Sequence, residues 1–183
     1  MALRGFRYTL GWGKDFRILG TVPLGSHHSA HTEAPVRGIG GLRASLGSDG
    51  SYRLRPDSVT ILVRMDRDNS WVVRDARSDA LLSHEQVHYN IAALGARDLE
   101  RKLLALSADS PESLESERVR VEKEIDDLME SVNNDYDDDF WGFGTDHGTR
   151  EFPQMQWKFH IDAQMNSPNG RLVSIYQMSR ALP

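Results

Sequence analysis

The sequence predicts an α+β fold in which an N-terminal antiparallel sheet of three or four strands packs on a helical half. Three observations carry that expectation. Residues 1–75 are rich in glycine and β-forming residues and show no helical period. From Ser78 onward the apolar spacing changes to that of amphipathic helices. The chain has 183 residues, 39% apolar and 27% charged, which suits one soluble globular domain with a proper core.

The strands come first. Phe6–Leu10 and Phe16–Leu19 alternate in polarity. Val59–Val63 and Trp71–Val73 are short β-branched runs around the turn-like Asp66–Asn69. Between them, residues 23–51 hold Pro, Gly, Ser and His and read as a long loop. Ser78 then suits the N-cap of a helix reaching about Leu106. Its inward stripe would carry Leu81, His84, Glu85, His88, Ile91, Ala92 and Gly95. Ser83, Gln86, Asn90, Arg97 and Arg101 would face outward. Ser110 caps a second helix with Pro111 as its first residue, and Asn133-Asn134-Asp135 should end it. A third helix is expected around Pro153–Met165, and Leu172–Tyr176 reads as a final strand. The whole, residues 1–183, is expected to be one domain: strands and loops over 1–75, helices with the functional site over 76–166, and a tail from 167.

Composition narrows the function. A net charge of -5 argues against a nucleic-acid or anionic-membrane partner, and no apolar run is long enough for membrane insertion. With no cysteine, disulfides and thiolate metal sites are excluded, so any metal must be held by His, Asp or Glu. The N-terminus MALRGFRYTLGWGK lacks the apolar core of a signal peptide.

His84-Glu85-Gln86-Val87-His88 spells HExxH. On a helix, two histidines four apart project one turn apart from one face, where both can close on one metal. The intervening Glu85 can then reach water at that metal. Chance would produce this pattern about once in a hundred shuffles of the composition. Its placement on the inward stripe favours function, because titratable groups there break the apolar pattern.

A catalytic zinc needs a third protein ligand and an open position. The HExxHxxGxxH arrangement is excluded by Ile91 and Leu94. Glu112, Glu115 and Glu117 start the next helix and suit its dipole and solubility. The remaining candidate is the segment 134–148, which could return over the first helix and deliver His147. Among the other histidines, His27, His28 and His31 read as a polar loop, and His160 as structural or exposed. The Asp135–Asp139 run lacks the ligand spacing of a calcium loop.

LLSHEQVHYNIAALGARDLERKL (81–103), followed by Tyr136-Asp137, Thr145-Asp146-His147-Gly148 and Gln156-Trp157, resembles a bacterial family of unknown function described as predicted secreted zinc-dependent proteases. Ser70-Trp71-Val72 and Leu10-Gly11-Trp12 extend the likeness, which covers about residues 6 to 165. One departure stands out: an aromatic, glycine-rich insertion separates Tyr136-Asp137 from the Thr-x-His-Gly motif. The resemblance implies a zinc-dependent peptidase acting on a peptide or protein substrate, with a zincin-like fold and an exported location. His84, His88 and His147 would hold Zn²⁺, Glu85 would be the general base, and Tyr136 would assist the oxyanion. Asp146 or Asp137 could instead ligate the metal or orient a histidine. The alternative function is a non-catalytic, peptidase-like module that binds peptides. Substrate preference and oligomeric state are left open.

Overall fold

The computed structural model describes residues 6–38, 41–138 and 143–181. It is α+β, as the sequence predicts, with small sheets followed by a helical half. The β part is more divided than a single antiparallel sheet. Strands β1 (Arg17–Leu19), β7 (Trp71–Val73) and β2 (Ala30–His31) form one sheet in the order β1-β7-β2. In it, β1 runs parallel and β2 antiparallel to β7. Two antiparallel pairs complete it: β3 (Val36–Gly38) with the sequence-distant β6 (Ile61–Val63), and the hairpin of β4 (Ala44–Leu46) with β5 (Tyr52–Leu54). Three of these strands lie within residues 23–51, which the sequence reading made a loop. Each has at most three residues, too short for a period-2 pattern to register.

The expected strand Phe6–Leu10 is instead backbone outside any strand, followed by the short helix α1 (Trp12–Asp15). Its hydrogen bonds go to a side chain rather than to a strand. The Gln86 amide donates to the Tyr8 carbonyl at 3.0 Å, and its oxygen accepts from the Leu10 N–H at 2.8 Å. Gln86, expected to face outward, therefore ties the N-terminal segment to the HExxH helix.

That helix, α2 (Asp79–Ala105), starts where predicted, with Ser78 Oγ accepting from the Leu81 N–H. It is the central element. Helices α3 (Pro111–Asp137), α4 (Glu151–Asn166) and α5 (Leu172–Ala181) and several of the strands pack around it. From Ile91 to Glu100 every residue is buried, so Arg97 is not outward as expected. Its guanidinium donates to the Gln164 and Met165 carbonyls at the C-terminal end of α4. Adjacent Asp98 accepts from the Val173 N–H in the first turn of α5. A cation at one helix C-terminus and an anion at another N-terminus match both dipoles and satisfy end groups that water cannot reach.

Two further boundaries differ from expectation. Helix α3 continues past Asn133-Asn134-Asp135 to Asp137, because Val132 and Tyr136 extend its buried seam by one more turn. Leu172–Tyr176 is helical rather than a strand. Leu172 and Ile175, three apart, bury one face of α5, so the residues from 167 dock on the core as well as forming its end. Among the described residues no helix is long and apolar enough to cross a membrane.

Candidate metal centre

The site forms where the second turn of α2 meets the last turn of α3. His84 Nε2 and His88 Nε2 lie 3.1 Å apart. Asp137 Oδ1 is 3.2 Å from the first and 3.1 Å from the second. Ligand atoms about 2.0–2.1 Å from a tetrahedral zinc sit roughly 3.3 Å from one another, so this triangle matches one face of such a shell. Asp137 Oδ1 is buried, yet neither imidazole gives it hydrogen-bond geometry. A carboxylate oxygen crowded by two nitrogens but bonded to neither is what donors directed at a common cation look like. The chemistry of this donor set therefore fits a divalent metal.

The surroundings hold each ligand in place. Asn133 Oδ1 lies 2.8 Å from His88 Nδ1 and can accept its proton, leaving Nε2 free to ligate. Thr145 Oγ1 lies 3.5 Å from His84 Nδ1 and donates to the Tyr136 carbonyl at 2.8 Å. The Thr145 N–H also bonds the Tyr136 carbonyl, at 2.7 Å, and the His147 N–H bonds the Asp137 carbonyl. Thr145–Gly148 thus folds back over the C-terminal end of α3, satisfies its last carbonyls and fixes where Asp137 points. Residues 139–142, most of the expected insertion, lie outside the described residues. Asp146, His147 and Gly148 all have positive φ, 47°, 51° and 84°. At Gly148 a Cβ would stand 3.0 Å from His84 Cγ, so the glycine is required by close packing as well as by backbone conformation.

Tyr136 is fully buried. Its ring stacks on His84 with centroids 4.7 Å apart and meets His88 edge-on at 5.1 Å. Its hydroxyl has no hydrogen-bond partner among the described residues. His147 is the most exposed of the expected ligands. Its Nδ1 lies 3.7 Å from Asp137 Oδ2, and its ring packs at 3.8 Å on His28. The converging set is His84, His88 and Asp137, with His147 bordering it. Asp146 bonds Thr149 instead.

Burial and charge set the protonation pattern. Burial lowers the His84 imidazole to about 4, against the pull of Asp137. Burial also opposes charging of His88, but the Asp137 and Glu85 carboxylates outweigh it and raise it to about 9. Asp137 itself, despite burial, is held well below the usual carboxylate range by the two imidazoles. Glu85 is 2% exposed, its Oε2 lacks a hydrogen-bond partner among the described residues, and burial pushes its carboxyl up to about 7. A carboxyl poised near neutrality beside converging metal donors is suited to proton transfer.

The site lies in a groove of about 720 Å³ walled by residues 28–37 and by α3. The class this defines is an α+β protein with an HExxH helix and a His-His-Asp donor set. More particularly, the chain belongs to the family described as a bacterial protein of unknown function (DUF922), whose profile matches residues 25–148. No curated protein and no solved structure matches it.

Sequence reasoning left Asp137 as an alternative and missed Asn133. The signal was present: Asn133 and Asp137 continue the α3 face at helical spacing, but only in a helix one turn longer than expected.

Proposed function

We propose that this protein is a zinc-dependent metallopeptidase in which His84, His88 and Asp137 hold the metal and Glu85 is the general base. The observation that carries the reading is the triangle of donor atoms, 3.1–3.2 Å on each side, next to the buried Glu85 carboxyl, whose Oε2 has no hydrogen-bond partner among the described residues. A divalent ion bound there supplies Lewis acidity, acidifying water and polarising an amide carbonyl. Glu85 takes the proton of the attacking water and passes it to the departing amine. Tyr136 positions His84 through its stacked ring, and His147 braces the second oxygen of Asp137 from the groove side. Residues 28–37 and α3 confine an extended substrate between them.

Metal analysis followed by cleavage of a peptide library, with and without a chelator, tests this. The expected result is about one zinc per chain and chelator-sensitive cleavage. Glu85→Gln should retain zinc and lose at least about a hundredfold in turnover. Full activity in that variant would refute the mechanism. Stoichiometric zinc without cleavage of any peptide would favour a peptide-binding module instead.

A further inference from the structure

The groove extends beyond the metal centre. One wall begins at His28, whose ring packs on His147, and ends at Arg37; just beyond it a Cβ at Gly38 would lie 3.7 Å from Glu122 Oε1. The other wall is α3, running the opposite way from Asp126 to Asp137. Strand β2 is an edge strand. Because the Val73 N–H bonds the Ser29 carbonyl, the backbone of Ser29 and His31 faces β7, and that of Ala30 and Thr32 faces away from it. An extended peptide can add to that edge. Laid antiparallel to β2, it runs from the Asp126 end toward the metal, so the residues near Asp126 precede the reacting bond.

Along α3, Asp126, Glu130, Asn133 and Asp137 line the groove at helical spacing. The acids elsewhere on this helix are largely neutralised: Glu115 and Glu122 by Arg118, Glu117 by Arg120, Glu124 by Lys102 and Asp127 by Lys123. Asp126 and Glu130 take no hydrogen bond or salt bridge among the described residues. Burial and the nearby Glu122 and Asp127 carboxylates raise the Asp126 carboxyl against the pull of Lys123. On the facing wall Glu33, 3.6 Å from His31 Nε2, adds a further carboxylate, and Arg37 is the one arginine lining the groove among the described residues. Glu85, whose buried Oε2 has no hydrogen-bond partner among the described residues, lines the same groove.

Distance converts this ridge into a position. At 1.5 Å per helical residue, Glu130 lies about 10 Å and Asp126 about 16 Å from Asp137, or about three and five residues of extended peptide. We propose that the groove binds an extended peptide antiparallel to β2 and selects a lysine or arginine about three to five residues N-terminal to the cleaved bond, through Glu130 and Asp126. This rests on the peptidase reading and gives it a substrate class.

The test uses peptides that differ only by Lys, Ala or Glu at those positions. With the zinc-loaded protein, the Lys peptide should be cleaved about tenfold more efficiently than the Glu peptide, and Asp126→Asn with Glu130→Gln should reduce that ratio to about twofold or less. The same peptides are titrated by fluorescence anisotropy against zinc-loaded Glu85→Gln, where the same order is expected. Equal cleavage and equal binding of all three would overturn the charge selection while leaving the peptidase reading intact. Absence of cleavage with binding in the order Lys, Ala, Glu would overturn the peptidase reading and keep the selection. Neither cleavage nor ordered binding would overturn both.

Discussion

Metal uptake should be coupled to proton release with a stoichiometry that changes in a defined way with pH. In the metal-free chain His88 carries a proton at neutral pH, since its pKa is near 9, whereas His84, near 4, is already neutral. Only a neutral imidazole can ligate, so loading must expel the His88 proton. Glu85, near 7, loses a second proton to the incoming charge only where it was protonated beforehand. From about pH 7.5 to 8.5 the His88 proton should therefore leave with each zinc, along with what the zinc-acidified water releases, so at least one proton departs and the apparent affinity should rise at least about tenfold, or 1.4 kcal/mol, per pH unit. Below about pH 6.5 the slope should approach two protons, about a hundredfold per unit. Asp137→Asn removes the main source of the His88 shift, so it should lower the release near pH 8 as well as weaken binding. Competition with a chromophoric chelator across this range gives the slope, and calorimetry in buffers of different ionisation enthalpy gives the proton count. A pH-independent affinity, or no proton released at pH 8, would refute the reasoning.

Two substitutions test the surroundings of the ligands. Asn133→Ala removes the acceptor facing His88 Nδ1 and should weaken zinc binding about 10- to 100-fold with little change in melting temperature, as chelator competition and thermal denaturation would show. Gly148→Ala places a Cβ against His84 in a left-handed backbone and should cost about 1–3 kcal/mol, read as a Tm lowered by roughly 2–4 °C for each kcal/mol. The same variant should bind zinc more weakly, because the His84 ring must shift to make room.

Much of the helical half was legible in the sequence because its signals are local. Ser78 and the Ser110-Pro111 pair mark helix starts through side-chain and backbone chemistry within a few residues, and both caps form as expected. What was not legible depends on tertiary partners. Arg97 reads as outward from its charge, and only the carbonyls exposed at the end of α4 explain its burial. Gln86 reads as solvent-facing, and only the Tyr8 carbonyl and Leu10 N–H show its task. Leu172–Tyr176 has β-branched character, but its burial at every third residue follows from docking on the α2–α3 pair. At the site, HExxH identified two of the three converging residues. The third hinged on where α3 ends, and Asn and Asp are poor guides there because they favour helix ends in general. A protein with donors to place can keep them inside the last turn.

The most direct test of the central claim is a crystal structure of the zinc-loaded protein with anomalous diffraction measured at the zinc edge. The account predicts one strong peak about 2.0–2.2 Å from His84 Nε2, His88 Nε2 and Asp137 Oδ1, with one position open to the groove. No peak at these atoms, or a zinc held by His147 in place of Asp137, would contradict it.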